Sequence, residues 1–206
     1  MAVTFDLFGT LVEAPKPADP ARAIADELDA RGVRVPDGWA EAYRTPHVDA
    51  PEGAEVPLPA HVAAALRSRG VEAVPGDVRR AVVAAFDPEV RTREGAVEAV
   101  EAGRERGPVG VLSNCSVPEL VSRTLIRSAF SRDDFDAVVS SVGCGWRKPH
   151  PKAFKAIASE LERPVEELVH VGDSPEADGG IEACGGRAIV LDGTTLAEVP
   201  ALLEEI

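Results

Sequence analysis

The sequence predicts an α/β protein with a doubly wound parallel sheet and a smaller, all-helical unit inserted near its start. Two observations support this fold class. From residue 93 onward, short apolar runs alternate with segments of helical periodicity, and repeated strand-then-helix units favour a parallel sheet covered by helices on both faces. Between residues 14 and 88, every periodic segment has the apolar spacing of a helix.

The elements follow in order along the chain. The first apolar strand ends at Asp6, after which the spacing of apolar residues becomes helical. Helices of the insertion are predicted at 20–31, 37–44, 59–69 and 76–86, with an acidic loop rich in proline and glycine at 47–57. Later helices are predicted at 94–106, 117–128, 151–162, 176–184 and 195–205, and strands at 109–113, 137–141, 168–172 and 187–191. Prolines stand at both connections between the insertion and the rest of the chain. We therefore assign residues 1–13 and 89–206 to the α/β core and 14–88 to the helical insertion.

Length and composition are consistent with this organisation. A chain of 206 residues with 45% hydrophobic content can bury one full core and a small accessory unit. No apolar run approaches the length of a membrane span, and no basic, apolar leader precedes the first strand, so we expect a cytoplasmic protein. The three cysteines have no metal-ligand spacing and are expected to be free thiols.

The net charge limits the kinds of partner. At −13, the chain lacks the basic face that recognition of nucleic-acid phosphates requires. We therefore expect a small-molecule substrate, with no nucleic acid and no membrane as partner. The acidic surface promotes solubility, and the sequence does not indicate an oligomeric state.

Polar side chains close three of the predicted strands. Asp6, Ser113 and Asp173 each stand at the end of an apolar run. Ligands of open parallel sheets bind outside the carboxyl ends of the strands, so these three side chains are expected to face the same crevice. Lys148 precedes a Pro-x-Pro stretch that opens a helix.

Four segments together resemble the motifs of the haloacid dehalogenase (HAD) superfamily of hydrolases. They are residues 3–11, 109–114, 146–151 and 168–178. Their order and spacing match those of the superfamily, and the resemblance covers about the first dozen residues and everything from about residue 91. It implies a Rossmann-like core, a hydrolase activity, and a helical cap inserted after the first motif.

The resemblance gives the residues of these segments their expected roles. Asp6 is the candidate nucleophile, because a carboxylate splits a difficult displacement into two steps through a covalent intermediate. Ser113 and Asn114 are expected to hydrogen-bond the oxygens of the transferred group. Lys148 is expected to neutralise charge on that group and on Asp6. Thr10, in the turn after the nucleophile, is a further candidate for substrate binding.

Carboxylates outnumber cations at the expected site. Asp173 and Asp178 together with Asp6 would face one lysine, Lys148, and such a cluster is costly unless protons or a cation neutralise it. Hard oxygen ligands suit Mg²⁺. We expect magnesium to bind Asp6, Asp173 and the backbone carbonyl of Phe8, with Asp178 as a direct or indirect ligand, and Asp173 to be part of the catalytic group.

Candidates for substrate recognition lie in the insertion. The four histidines form no ligand pattern, and His170, inside an apolar strand, is expected to be a packed core residue. Arg44 and His47 stand at the end of a predicted helix of the insertion. Because the corresponding unit of related proteins covers the active site, these two residues are predicted to contact the substrate.

The sequence departs from the superfamily's phosphatases at Phe8. Those enzymes carry a second aspartate two positions after the nucleophile as the general acid, and a phenyl ring cannot transfer a proton. The Asp-x-Phe-Gly-Thr form resembles the metal-free 2-haloacid dehalogenases, whereas the Gly-Asp-Ser-Pro-Glu-Ala-Asp segment at 172–178 favours a metal site. An extra carboxylate in a metal-free site would repel the nucleophile and a carboxylate substrate. We therefore expect a Mg²⁺-dependent phosphatase of a small phosphorylated metabolite, with a dehalogenase, or a weakly active or non-catalytic ligand-binding relative, as alternatives.

Overall fold

The computed structural model describes all 206 residues. The strands are β1 (Ala2–Phe5), β2 (Val12–Glu13), β3 (Arg91–Thr92), β4 (Val109–Ser113), β5 (Ala137–Ser140), β6 (Leu168–Gly172) and β7 (Arg187–Val190). The helices are α1 (Pro20–Asp29), α2 (Trp39–Arg44), α3 (Leu58–Ser68), α4 (Pro75–Ala85), α5 (Ala96–Arg106), α6 (Leu120–Arg127), α7 (Ser141–Cys144), α8 (Pro151–Glu160) and α9 (Val199–Glu204). Short 3₁₀ turns occur at Arg132–Asp134, Val165–Glu167, Gly179–Cys184 and Leu196–Glu198. None of the helices is both long enough and apolar enough to cross a membrane.

Five strands form one parallel sheet in the order β5-β4-β1-β6-β7. The first strand of the chain is therefore central, with Phe5 paired to Val111 of β4 on one side and to Val171 of β6 on the other. The chain direction is the same in every pair, so the carboxyl ends of all five strands meet at one edge. The prediction of a parallel α/β fold is confirmed.

The side chains of β1 alternate between the two faces of the sheet, and an apolar core lies on each face. Val3 and Phe5 belong to one apolar cluster, which also includes buried residues of α5 and α9. Ala2 belongs to the other cluster, whose largest side chains are Phe154 and Ile157 of α8. All residues of β1, β4 and β6 are buried, which explains why these strands read as continuous apolar runs.

Four helices occupy the insertion, within a few residues of their predicted limits. Helix α1 packs against α4, and α3 packs against both α2 and α4. The apolar spacing of α1 buries Ala21, Ile24 and Leu28. Trp39 Nε1 donates a hydrogen bond to the carbonyl of Ala21 at 2.7 Å, which fixes the start of α2 on α1.

Two backbone connections join the insertion to the core. At its ends, β2 and β3 form a short antiparallel ribbon in which Val12 pairs with Thr92. In its middle, the loop before α3 makes a β-bridge between Ala54 and Trp146, supported by a hydrogen bond from Glu55 N to Gly145 O at 2.9 Å. The sequence predicted neither connection, because two-residue strands and single bridges carry no periodic signal.

The largest difference from the predicted elements is at 176–184. The chain forms a turn and a 3₁₀ segment there instead of a helix. Gly179 and Gly180 stand at its start, and glycine is unfavourable in a helix interior. A Cβ at Gly180 would lie 2.3 Å from Pro149 Cβ, so this close approach of two loops requires glycine. Helix α6 also begins later than predicted, because Glu119 adopts a positive φ of 67°.

Candidate active site

The ends of the three central strands bring the candidate residues together. Asp6 follows β1, Ser113 ends β4, and Asp173 follows β6. Carboxylate oxygens of Asp6, Asp173 and Asp178 all lie within 4.8 Å of one another. Asp6 and Asp178 are buried, whereas Asp173 is exposed. The site is therefore a carboxylate cluster at the carboxyl edge of the sheet, open on the Asp173 side.

Lys148 is the cation of this cluster. Its side chain is 1% exposed, and Nζ donates to Asp6 Oδ1 at 2.8 Å, to Asp178 Oδ1 at 2.6 Å and to the carbonyl of Leu112 at 2.7 Å. An ammonium group has three protons, so all three are used. The lysine is consequently held in one position between the two carboxylates.

Asn114 fixes the backbone of Lys148. Its side-chain amide donates to the carbonyl of Lys148 at 2.9 Å, and its side-chain oxygen accepts from Lys148 N at 2.8 Å. The neighbouring Ser113 is buried, and its hydroxyl has no hydrogen-bond partner. A buried hydroxyl without a partner is rare, and it remains available to an oxygen of a bound group.

His170 forms a second layer behind the carboxylates. It is fully buried, as predicted for a core histidine, with Nε2 3.1 Å from Asp178 Oδ1 and Nδ1 2.8 Å from Thr4 Oγ1. All three protons of Lys148 are used in other hydrogen bonds, so the lysine donates none to the ring. His170 Nε2 therefore carries the hydrogen that is donated to Asp178, and the Thr4 hydroxyl donates to His170 Nδ1. Burial and the charge of Lys148 lower the pKa of His170 to about 4, so the ring is neutral at neutral pH.

Asp178 is ionised, and both of its carboxylate oxygens accept hydrogen bonds. Burial favours the protonated form, but the hydrogen bond from His170 and the charge of Lys148 outweigh it and hold the pKa of Asp178 well below its usual range. Its Oδ2 accepts a hydrogen bond from Ser174 N at 2.8 Å. A Cβ at Gly172 would lie 2.1 Å from the Asp178 carboxyl carbon, so glycine is required there.

Asp6 has a different electrostatic environment. Burial raises its pKa from 3.8 to about 6, because the opposing effect of Lys148 is smaller and Asp178 adds a like charge. With His170 neutral, the three carboxylates leave two negative charges uncompensated around Lys148. The backbone carbonyl of Phe8 accepts no hydrogen bond. Carboxylate and carbonyl oxygens with this excess charge fit a hard divalent cation such as Mg²⁺.

Thr10 lies on the closed side of the cluster. It is fully buried, and its hydroxyl donates to Asp173 Oδ1 at 3.2 Å. The expected contact of Thr10 with a substrate therefore has no support in the structure, since the hydroxyl is engaged in orienting a carboxylate. Gly9 has a φ of +92°, and a Cβ there would lie 2.5 Å from Asp173 Oδ2. Arg93 Nη1 donates to the carbonyl of Gly9 and holds this turn from outside.

Comparison with known proteins is consistent with this geometry. A family model of haloacid dehalogenase-like hydrolases matches residues 1–185. The chain belongs to this family. The phosphatase MT3486 of Mycobacterium tuberculosis is 38% identical over 96 residues, which are 46% of this chain and 43% of that protein. The matched region thus spans less than half the length of the curated relative.

Solved structures show the same fold as this HAD-like hydrolase. CbbY from Rhodobacter sphaeroides in complex with phosphate has a TM-score of 0.60 at 23% identity, over 92% of this chain and 84% of that one. A 2-haloacid dehalogenase from Pseudomonas syringae pv. Tomato DC3000 has a TM-score of 0.67 at 19% identity, over 99% and 98% of the two chains. At these identities the likeness establishes the fold alone.

A cavity of about 510 Å³ adjoins the carboxylate cluster of the HAD-like hydrolase. Phe8 and Asn114 line it on the core side, and Lys16, Tyr43 and Phe86 line it on the side of the insertion. Phe8 is half-buried and packs against the apolar core. Neither Lys148 nor any of the three carboxylates lines the cavity, which approaches the cluster through Phe8, Asn114 and Arg147.

Arg44 and His47 do not line this cavity. They line an adjoining depression of about 280 Å³, which shares Leu58, Ser116 and Arg147 with the cavity, and the ring of His47 donates from Nε2 to the carbonyl of Ala42 at 2.8 Å. The expectation that they contact the substrate is therefore not supported by their placement. The insertion residues that line the same cavity as Phe8 include Lys16, in a loop, and Tyr43, in α2. Sequence reasoning missed them because helical periodicity does not show which part of the insertion faces the core.

Proposed function

We propose that this HAD-like hydrolase is a Mg²⁺-dependent phosphatase that acts on a small phosphorylated metabolite through an aspartyl-phosphate intermediate. The observation that supports it is the charge balance: one buried lysine, Lys148, is shared between Asp6 and Asp178, and Asp173 adds a third carboxylate. This excess of negative charge favours a site that binds a divalent cation together with a phosphate. The relative named a phosphatase agrees with this activity.

In the proposed reaction Asp6 is the nucleophile. Its Oδ1 is held by Lys148, which leaves Oδ2 for attack on phosphorus. The oxygen of the leaving group takes the electrons of the broken P–O bond, and water then attacks the phosphorus of the aspartyl phosphate to release inorganic phosphate and regenerate Asp6. Lys148 and the free hydroxyl of Ser113 stabilise charge on the transferred group. Magnesium, held by Asp6, Asp173, the carbonyl of Phe8 and Asp178 directly or through water, would supply further compensation of phosphate charge when bound.

The insertion is proposed to act as a cap. With boundaries at 1–13 and 89–206 for the core and 14–88 for the cap, the cavity of about 510 Å³ lies between the two units. Substrate choice would then depend on cap residues beside Phe8.

A 2-haloacid dehalogenase is the second candidate, and Phe8 favours it. A halide leaves without a proton, so a phenyl ring two positions after the nucleophile costs such an enzyme nothing. Structural neighbours include two enzymes described as haloacid dehalogenases, at 19% and 17% identity. Against this candidate stands the uncompensated carboxylate pair, which would repel a carboxylate substrate in the absence of a cation.

The deciding experiment compares both reactions with and without metal. We expect hydrolysis of p-nitrophenyl phosphate in MgCl₂, loss of that activity in EDTA, and no halide release from 2-chloropropionate. We also expect magnesium to raise the melting temperature of the native chain, because a ligand that binds the folded state stabilises it by mass action. Asp173→Asn should abolish this shift, and the matched control Asp192→Asn, at an exposed position outside the cluster, should retain it. Halide release that is unaffected by EDTA would establish the dehalogenase instead.

A further inference from the structure

Glu55, in the loop that precedes α3, has a buried carboxylate that is compensated from outside the insertion. Its side chain is 3% exposed, and a buried carboxylate is costly unless donors and an opposite charge face it. Both of its partners belong to the core: Arg147 Nη1 donates to Glu55 Oε2 at 2.8 Å, and Ser141 Oγ donates to the same oxygen. Glu55 is therefore compensated only while the insertion is in contact with the core.

The bond from Ser141 connects Glu55 with the chain that leaves β4. Ser141 is buried, and its Oγ accepts a hydrogen bond from the backbone N–H of Cys115 at 2.8 Å. Cys115 directly follows Ser113 and Asn114. A hydroxyl has a single proton, and here the carboxylate takes it, which turns a lone pair toward Cys115 N. Glu55 thus sets the orientation of the hydroxyl that holds this part of the core.

The bond from Arg147 connects Glu55 with the segment that carries Lys148. Arg147 directly precedes Lys148 in the sequence, and its backbone N–H donates to the carbonyl of Gly53 at 2.9 Å. The same loop of the insertion therefore holds both the guanidinium and the backbone of Arg147. The Arg147 side chain is 44% exposed, so its charge is partly solvated, whereas Glu55 depends on its protein partners.

The other ion pairs between the insertion and the core are exposed. Arg79 Nη2 contacts Glu119 Oε1 at 2.7 Å, and Arg127 Nη1 contacts Asp87 Oδ1 at 2.5 Å. All four of these side chains are more than a third exposed, and exposed ion pairs of this kind contribute little. Glu55 is the buried ion-pair residue of the interface, and it reaches two of the segments that form the candidate active site.

We propose that Glu55 is a positioning residue: through Ser141 and Arg147 it fixes the chain after β4 and the segment of Lys148 relative to each other. It has no contact with the carboxylate cluster and acts only through these two partners. Ser113 and Lys148, which stabilise charge on the transferred group in the proposed reaction, belong to these two parts of the core. The assignment rests on the proposed function, because it requires a reaction at Asp6 in which both take part.

Steady-state kinetics with p-nitrophenyl phosphate in MgCl₂ test the proposal. Glu55→Ala should lower kcat by roughly tenfold or more with little change in KM, because misplaced catalytic groups reduce the rate of the chemical step. Glu55→Gln keeps an acceptor for Ser141 but loses the charge that faces Arg147, so its kcat should be intermediate. Glu52→Ala, at an exposed position of the same loop, should leave kcat unchanged. An unchanged kcat in Glu55→Ala overturns the proposal.

A double variant tests the path through the hydroxyl. Ser141→Ala should lower kcat, and Glu55→Ala/Ser141→Ala should lower it by less than the product of the two single effects, since both changes break one path. Multiplying effects would overturn this path. Thermal melting shows whether each variant is folded at the assay temperature, and the cycle with Glu55→Gln, which keeps an acceptor for Ser141, provides the same test with a smaller change.

Backbone NMR separates this proposal from the phosphatase function, because it requires no substrate. The amide resonances of Cys115 and Lys148 report the hydrogen bonds that hold the two parts of the core. Both should move in Glu55→Ala, and neither should move in Glu52→Ala. Displaced resonances in a protein that hydrolyses no phosphate ester support the positioning by Glu55 and overturn the phosphatase function alone. Unmoved resonances in an active phosphatase overturn the role of Glu55 and leave the phosphatase function standing.

Discussion

Thr4 and His170 lie opposite each other in neighbouring strands, and the hydroxyl of one bonds the ring of the other at 2.8 Å. Through Nε2 the same ring reaches Asp178 at 3.1 Å, and Asp178 holds Lys148. The position of the lysine beside Asp6 therefore depends on a pair of side chains within the sheet. This relationship leads to the first prediction.

His170→Phe should destabilise the protein by about 1–3 kcal/mol, because it removes the donor to a buried carboxylate and the acceptor of the Thr4 hydroxyl. The free energy of unfolding in urea measures this loss. Thr4→Val should cost less, and the double variant should cost less than the sum of the two, since both changes break one shared bond. Thr124→Val is the control: its buried hydroxyl has no partner, so its removal should be neutral or stabilising. Additive losses at Thr4 and His170 would contradict the coupling.

Asn114→Ala should lower kcat more than it raises KM. The two hydrogen bonds between the Asn114 side chain and the backbone of Lys148 fix the position of that lysine beside Asp6. If Lys148 acts as proposed, its misplacement costs about a hundredfold in rate. Steady-state kinetics with an aryl phosphate measure the effect. Ser116→Ala, in the same loop and also lining the cavity, serves as the control and should change kcat little. An unaltered kcat in Asn114→Ala would show that Lys148 is positioned by its side-chain contacts alone.

Asp6→Asn should abolish turnover and stabilise the metal-free protein at neutral pH. The pKa of Asp6 rises on folding from 3.8 to about 6, so ionised Asp6 opposes folding, by at most about 3 kcal/mol at 1.36 kcal/mol for each pKa unit. This loss of folding free energy is absent below about pH 4, grows as the pH rises from about 4 to about 6, and is complete above about pH 6. Melting curves in EDTA should therefore show a higher melting temperature for Asp6→Asn at pH 7.5 and a much smaller difference at pH 4. A variant that melts at the same temperature as the native protein at pH 7.5 would argue against a desolvated Asp6.

Phe8→Asp should raise turnover of phosphate esters with poor leaving groups. Phe8 stands two positions after Asp6, the proposed nucleophile. A proton donor there is worth about 10²–10⁴ in rate when the leaving group needs protonation. Aryl phosphates should gain less, so the ratio of kcat/KM for alkyl over aryl esters is the quantity to measure. Phe8→Asn removes the same packing without supplying a proton and is the matched control. If Phe8→Asp and Phe8→Asn raised this ratio equally, the gain would come from the space left by the phenyl ring and not from a proton donor.

The sequence was sufficient for those features that local pattern determines. The strands at 109–113 and 168–172 have their predicted limits, because apolar runs buried on both faces are distinct in any window of the chain. Asp6, Ser113 and Asp173 follow from the same pattern, since the carboxyl ends of parallel strands share one edge. These positions require no knowledge of which strands are neighbours.

Features that depend on pairing between distant residues could not be predicted. Thr4 and His170 are 166 positions apart, and only the β1–β6 register makes them partners. Lys16 and Arg147 line one cavity only because the insertion is docked on the core. Arg44 and His47 were predicted to contact the substrate from their place at a helix end, which gives no direction in space. The docking of the insertion therefore determines which of its residues line the cavity.

The bridge between Ala54 and Trp146 restricts how the cavity can open. Trp146 is two residues before Lys148, so the loop of the insertion is attached to the segment that carries this lysine. Together with the β2–β3 ribbon, this attachment gives the insertion two backbone connections to the core, and one of them lies next to Lys148. Separation of the insertion from the core at this loop breaks the hydrogen bonds from Glu55 N to Gly145 O and from Arg147 N to Gly53 O. The amide protons of Glu55 and Arg147 are therefore the ones whose exchange with solvent would report such a separation.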